Sequence, residues 1–407
     1  MEPTSETSTS LRAERGPIGV YVHFPWCLKK CPYCDFVSFA EDRARIDHEG
    51  YADAVLAELA HRAPALQGRE LATIFFGGGT PSLWDPAHLG RVLAAVLESA
   101  SRKAPEIEVT VECNPTSLDE ERARALRAVG VNRLSVGVQG LDAGRLSFLG
   151  RLHTPEGGID ALHAALRAGI PRVSGDLIYG VGGAQPAKAG QTPDEAADDA
   201  RRVVETGVTH VSAYSLTIEP GTQFGELARR GRLPIAPDDS VAGAFFAVEE
   251  ALGSAGLEHY EISNYARPGD EARHNLGYWR GDDYLALGCA AYGTLSSNDG
   301  SAMRYRNTPD PRRYAEAARA GSPLVSSEEQ LDPETRLRER IMLGLRLREG
   351  LDLDAAAESL GVTAWTDPRR RAADRLVASG RLEIDGGRLR LPKRAWIFAD
   401  GIAASLF

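Results

Sequence analysis

Up to about residue 256 the chain alternates short apolar runs with segments whose apolar residues recur every three or four positions. Ile18–Phe24, Ala72–Phe76, Glu106–Glu112, Arg133–Gln139, Arg172–Tyr179 and His210–Leu216 read as strands. Pro86–Ala100 reads as a helix, because Leu89, Val92, Leu93, Val96 and Leu97 fall on one face at helical spacing. Ser117, with Glu120 three residues on, predicts a capping box at the start of the next helix, which Gly130 closes. Pro155–Gly169, Pro193–Gly207 and Val241–Gly256 complete the helical set. Six strand–helix units over residues 18–256 predict a parallel sheet with helices outside it. A full eight-unit barrel takes ~250 residues, so the expected fold is α/β, a partial (β/α)6 TIM-like barrel. A doubly wound sheet is the structural alternative.

The pattern then changes. Residues 257–309 are rich in Tyr, Gly, His and Asn and form an expected extension. From 310 to 407 the chain turns helical and ends in Arg381–Leu391, RLEIDGGRLRL, two short strands around Asp-Gly-Gly that signal a hairpin. Helices followed by a hairpin predict a small α+β, winged-helix-like C-terminal domain. Residues 1–17 are polar and read as a disordered tail.

Composition narrows the function. The 407 residues carry 57 Asp and Glu against 47 Lys and Arg, a net charge of −10, which argues against an extended nucleic-acid face. No apolar run approaches the ~20 residues of a membrane helix. Five cysteines in so long a chain are not a disulfide framework. The expectation is a soluble cytoplasmic protein in a reducing compartment.

Three of the cysteines, Cys27, Cys31 and Cys34, fall within eight residues, in a loop that leaves the first strand. A structural zinc site wants four protein ligands, and only His23 stands near as a fourth. A catalytic dithiol needs two cysteines. A [4Fe–4S] cubane on three thiolates leaves one iron open, and the C-x-x-x-C-x-x-C spacing favours it. Cys113 and Cys289 are isolated and read as buried small hydrophobes.

Polar residues gather at the ends of the successive strands, where β/α barrels carry their chemistry. The second strand ends in Gly77-Gly78-Gly79-Thr80-Pro81, whose missing side chains admit a ligand and whose N–H groups could meet a carboxylate. Glu112 and Gln139 end the third and fourth strands, the fifth carries Asp176, and Arg151 precedes the next helix. Glu112 suits a cationic amine or sulfonium, Arg151 a carboxylate, and Asp176 a ribose hydroxyl.

The cysteine spacing after a first strand resembles the radical S-adenosylmethionine superfamily. The series Tyr21, the three cysteines, GGGTP, Glu112, VGVQ, LGR and DLIYG resembles the oxygen-independent coproporphyrinogen III oxidase-like family over residues 18–300. The resemblance implies a [4Fe–4S] cluster on Cys27, Cys31 and Cys34. It implies S-adenosylmethionine contacts from Tyr21, Tyr33, Gly78, Gly79, Thr80, Glu112, Gln139, Arg151 and Asp176. It also implies cleavage of the sulfonium to a 5′-deoxyadenosyl radical, with the cofactors carrying the hard chemistry. A second S-adenosylmethionine site belongs to the true oxidases.

Two departures resemble the HemW-type heme chaperone branch of that family. The true oxidases place another cysteine two positions after the third ligand, where this chain has Phe36, and they carry a longer N-terminal region. His274, Asn275, Tyr278 and Trp279 match the H-N-x-x-Y-W motif associated with heme in that branch. Imidazole can ligate heme iron, and the two aromatic rings can cover a macrocycle. The axial ligand stays open, with His259, His210 and Cys289 as further candidates. The branch implies heme as cofactor and cargo, heme-accepting proteins such as respiratory enzymes as partners, and protein-mediated association with the membrane. The alternative is a coproporphyrinogen III dehydrogenase making protoporphyrinogen IX, to which the cysteine loop and strand ends are equally suited. A cluster with a purely structural role is the third reading.

Overall fold

The computed structural model describes residues 16–183 and 190–407. The expected disordered tail lies outside the described residues except for Gly16 and Pro17, whose carbonyls accept hydrogen bonds from Arg69 at 3.1 and 3.0 Å.

One sheet of twelve strands dominates the molecule. In chain order these are β1 (Ile18–Phe24), β2 (Glu70–Gly78), β3 (Arg102–Cys113), β4 (Arg133–Gln139), β5 (Arg172–Tyr179) and β6 (His210–Ser215). They continue as β7 (Glu258–Glu261), β8 (Asn264–Ala266), β9 (Asp283–Leu287), β10 (Tyr292–Ser296), β11 (Ala302–Asn307) and β12 (Val325–Leu331). Their order in the sheet is β12-β11-β10-β9-β1-β2-β3-β4-β5-β6-β8-β7. β1 to β6 are neighbours in chain order and all parallel. A doubly wound sheet would reverse its order partway along, and no reversal occurs within these six. The sheet winds like a barrel and stays open, with β12 and β7 as its edges.

The count of parallel strands is larger than expected. β9 joins the far side of β1 in parallel, Ile18 facing Asp283, so seven strands run the same way. The hairpin strands β7 and β8 finish one edge and β10 to β12 the other, all antiparallel. The expected divisions after residues 256 and 309 therefore have no counterpart in the sheet, which runs through both and ends only at Leu331. Periodicity within a segment shows its element type, but not which strand it will pair with.

The helices follow their local signals. They are α1 (His48–Arg62), α2 (Pro86–Ser99), α3 (Glu120–Ala128), α4 (Pro155–Arg167), α5 (Pro193–Glu205) and α6 (Asp238–Ser254). Pro86, Pro155 and Pro193 start α2, α4 and α5 behind the capping side chains of Asp85, Thr154 and Thr192. The box expected from Ser117 and Glu120 does not form. Ser117 belongs to a 3-10 turn, and Asp119, nearer the helix, accepts from the Arg122 N–H.

Alternation along β1 sorts the interior. Ile18, Val20, Val22 and Phe24 are buried in the main hydrophobic core. Tyr21 on the opposite face stacks on Phe75 of β2, inside the barrel. On the same inner face β3 carries Glu108, Thr110 and Glu112 in steps of two. After Leu331, helices Pro333–Gly344, Leu353–Leu360 and Asp367–Ala378 are joined by a three-stranded sheet built from Leu351–Asp352, Glu383–Asp385 and Arg388–Arg390. Glu383–Asp385 and Arg388–Arg390 pair as the expected antiparallel hairpin.

Candidate functional site

The cysteine loop caps the C-terminal ends of the parallel strands. Backbone hydrogen bonds tie it to the glycine run: Gly79 N donates to Phe24 O at 2.7 Å and Thr80 N to Trp26 O at 2.8 Å. A Cβ on Gly79 would stand 2.6 Å from Trp26 O, so a side chain at this position would push the loop away. Gly78 has φ +107, and its Cβ would meet the His23 ring at 2.4 Å. Gly78 N donates to Glu112 Oε2 at 3.1 Å. The amides of Gly78, Gly79 and Thr80 are thus all occupied within the protein. The glycines make room and fix the loop.

All five cysteines are free thiols, the three in the loop half-buried and Cys113 and Cys289 buried. The Thr80 hydroxyl donates to Cys27 Sγ at 3.4 Å, and Arg151 Nη1 to Cys31 Sγ at 3.7 Å. Burial pushes the Cys27 thiol up, and the Thr80 hydroxyl and Arg151 oppose that rise, so this donor set fits a cluster. Among the described residues no three His, Cys, Asp or Glu side chains converge as ligands of a single ion. The thiolates of a cubane sit on separate irons and need no such convergence. His23 is not available as a fourth ligand. Its Nε2 faces Val37 O at 2.8 Å, which can only accept, so Nδ1 accepts from the Tyr21 hydroxyl at 3.0 Å. Burial lowers its pKa to about 4, keeping the ring neutral. Cys27, Cys31 and Cys34 would hold a [4Fe–4S] cluster, which would supply one-electron chemistry.

The expected strand-end residues surround the same face. Burial raises the Glu112 carboxyl from 4.5 to about 7, with Asp176 adding repulsion and the Gly78 N–H opposing the rise. A cation placed beside Glu112 would restore its charge. Asp176 accepts from the Ser135 hydroxyl at 2.7 Å, while its Oδ1 is buried with no protein partner. Arg151 Nη2 donates to Gly137 O at 2.7 Å, and its Nε is likewise buried and unpartnered. Unpartnered buried acceptors and donors on one face fit a ligand carrying hydroxyls and a carboxylate. Gln139 has φ +66, a conformation that costs a non-glycine residue energy, and a register shift in β4 accompanies it. Tyr33 packs against Phe224, with ring centroids 6.4 Å apart.

A narrow cleft opens beside Cys31, lined by Leu28, Thr80, Thr116, Gly150, Arg151 and Leu152 among others. The sequence did not single out Leu28, Thr116 or Leu152. Gly150, in the LGR run, has φ +72, and a Cβ there would stand 2.6 Å from Pro32 Cδ in the cysteine loop.

The H-N-x-x-Y-W segment lies elsewhere. It forms α7 (Arg273–Arg280), which enters the barrel from the N-terminal ends of the strands. His274 Nδ1 lies 2.7 Å from the Thr73 hydroxyl and Nε2 2.9 Å from the Tyr278 hydroxyl. The ring stacks on Phe75 and is 3% exposed, and burial lowers its pKa to about 3. Thr73 is five residues before Gly78, roughly 16 Å along β2 at ~3.3 Å per residue. In this conformation both nitrogens of His274 are occupied inside the barrel. Tyr278 packs edge-on against His274 and Tyr284. Trp279 lies under the Arg346 guanidinium at 4.8 Å. Asn275 is half-buried on the same helix. Among the other candidates, His210 Nε2 bonds the Tyr260 hydroxyl, His259 is buried between Tyr265 and Trp396, and Cys289 is fully buried.

A buried ion pair that the sequence did not reveal holds α7 in place. Glu108 accepts from Arg133 Nε at 2.9 Å and from the first N–H groups of α7, Arg273 at 3.2 Å and His274 at 3.0 Å. α7 has no capping side chain of its own. The Glu108 carboxylate satisfies its free amides and opposes the positive end of its dipole.

Comparison with known proteins agrees with this geometry. The Radical SAM superfamily model matches residues 21–196 and the HemN C-terminal domain model matches residues 331–398. A protein of Mycobacterium tuberculosis named "Heme chaperone HemW" is 36% identical over 96% of this chain and 95% of its own length. Its Escherichia coli namesake is 38% identical over 74% of this chain and 78% of its own length. Coproporphyrinogen III oxidase of Escherichia coli, described as a radical SAM enzyme, superimposes with a TM-score of 0.78 at 21% identity, covering 97% of this chain and 91% of the other. That likeness supports the shared fold. On these matches and on the cysteine loop at its strand ends, the chain belongs to the HemW family of radical SAM proteins.

Proposed function

We propose that this protein is a heme chaperone: it binds heme, carries a [4Fe–4S] cluster with S-adenosylmethionine, and hands heme to acceptor proteins. The observation that carries the reading is the 36% identity to a heme chaperone across 95% of that protein's length. Cys27, Cys31 and Cys34 hold the cluster. Tyr21, Glu112, Gln139, Arg151 and Asp176 face S-adenosylmethionine, with Tyr33, Gly78, Gly79 and Thr80 shaping its site. The H-N-x-x-Y-W residues Asn275, Tyr278 and Trp279 support the barrel floor and stay candidates for heme contact if α7 moves. The acceptors are heme proteins such as respiratory enzymes, reached from the cytoplasm, where an oxygen-labile cluster survives. Among the described residues no helix is long and apolar enough to cross a membrane. A net charge of −10 gives no electrostatic adhesion to anionic lipid, so membrane contact runs through a protein partner.

The test pairs two assays on anaerobically reconstituted protein. One supplies coproporphyrinogen III, S-adenosylmethionine and reductant. The other titrates heme and then adds an apo-acceptor. Stoichiometric heme retention and transfer, without porphyrinogen turnover, supports the chaperone. Multiple-turnover protoporphyrinogen formation without stable heme binding would falsify it.

A further inference from the structure

Ser135 stands on the strand between the two acids of the strand-end face. On β4, Leu134 and Val136 are buried in the main core, so alternation turns Ser135 into the barrel. On β5, Val173 and Leu177 join the same core, and Asp176 faces in. Ser135 is in register with Glu112 of β3. Its hydroxyl nevertheless donates to Asp176, reaching Oδ2 at 2.7 Å. A hydroxyl has one proton to give, and Glu112 takes its bond from Gly78 N instead.

The consequence is directional. With Oδ2 tied to Ser135, Asp176 Oδ1 is buried with no partner among the described residues. Gly137 is in register with Asp176, and its carbonyl holds Arg151 Nη2 at 2.7 Å. Arg151 Nε is buried and unpartnered as well. One free acceptor and one free donor thus belong to a single layer of the barrel. Each sits on a side chain whose other atoms are already tied to the protein. Burial pushes the Asp176 carboxyl up, while the Ser135 and Ser212 hydroxyls and the Arg151 charge oppose the rise.

We infer that Ser135 is a positioning residue for S-adenosylmethionine: it locks the Asp176 carboxylate so that Oδ1 accepts a ribose hydroxyl. The inference rests on the S-adenosylmethionine reading of this face and adds a residue that acts through another. The physical reason is preorganisation. A carboxylate that turns freely loses that freedom when it binds, and one locked beforehand does not. The bond from Ser135 also supports the ionised form, which accepts a hydroxyl more strongly than a neutral acid does.

The experiment uses the full-length protein with its cluster reconstituted and left oxidised, so that S-adenosylmethionine binds without being cleaved. Calorimetry titrates S-adenosylmethionine and its 2′-deoxy and 3′-deoxy analogues into the parent and into Ser135→Ala. Iron content and far-ultraviolet circular dichroism check the fold. Ser135→Ala should bind S-adenosylmethionine about tenfold more weakly, the scale of a lost bond to a charged group. The analogue lacking the hydroxyl that Asp176 accepts should bind parent and variant alike, because the contact Ser135 organises is already absent. Ser135→Thr and Ser135→Val match in shape and differ in the hydroxyl, so they repeat the comparison in a filled site should the alanine variant load less iron. Threonine should keep the parent's affinity and valine should not. Unchanged affinity without the hydroxyl, or an equal loss for all three ligands, overturns the positioning role while the S-adenosylmethionine site stands. Failure of the parent to bind S-adenosylmethionine at all overturns that site and this inference with it.

Discussion

Glu112→Gln isolates the electrostatics of the strand-end face. Glutamine keeps the shape and can still accept from Gly78 N, but it removes the titration. The folded carboxyl is raised from 4.5 to about 7, chiefly by burial. At about 1.4 kcal/mol per unit, that shift corresponds to ~3 kcal/mol. The folded state holds the proton more tightly than the unfolded chain does. Glu112 therefore contributes stability that is fully present below pH 4.5 and lost as pH rises through about 7. Urea unfolding of the parent and variant, both ligand-free and in the same cluster state, should give a difference curve that falls by ~3 kcal/mol across this window and is flat above it. S-adenosylmethionine should reverse the trend. A cation beside Glu112 favours the ionised form, so the parent binds it more tightly as pH rises towards 7, and the variant's affinity is nearly independent of pH. Parallel stability curves within ~0.5 kcal/mol would refute the reasoning, showing that the carboxyl is solvated as freely as in the unfolded chain.

Other expectations follow from single observations. Arg133→Met leaves Glu108 charged, buried and short of a partner, and should cost about 3–5 kcal/mol by denaturant unfolding; Glu108→Gln in the same chain should recover part of it. Gly78→Ala, with its Cβ 2.4 Å from the His23 ring at φ +107, should lower the unfolding midpoint and the iron loaded per chain. Replacing Cys27, Cys31 and Cys34 together by Ala should abolish the brown chromophore, while Cys113→Ala and Cys289→Ala keep full iron content. His274→Ala should lose roughly 1–3 kcal/mol of stability, since Thr73 and Tyr278 lose a buried partner. Heme retained per folded chain should be unchanged in that variant, and loss of the Soret band with the fold intact would return the ring to the set of ligands.

Much of the molecule was legible in local pattern. The strands Arg133–Gln139 and Arg172–Tyr179 lie where their apolar alternation placed them, because a half-buried strand must alternate whatever it pairs with. Pro86, Pro155 and Pro193 marked helix starts by their own missing N–H. The spacing of the three cysteines favoured a cluster loop, since one short loop brings them together. Pairing was not legible. Nothing local in Asp283–Leu287 states that it adds to the outer side of β1, so a segment read as an extension proved to be part of the barrel.

Direction and depth were also decided only in three dimensions. His274, Tyr278 and Trp279 share a motif whose chemistry suits heme, yet the motif records nothing about which end of the barrel receives it. The Glu108–Arg133 pair settles that by capping α7 from inside, through residues about 140 to 165 positions away in sequence. The sequence by itself determined most of the strands and helices and the family, because these are set by residues close together along the chain. The tertiary structure alone decided which strands are neighbours and which amides are already occupied. Those properties depend on groups that meet only after the sheet has wound around its polar interior.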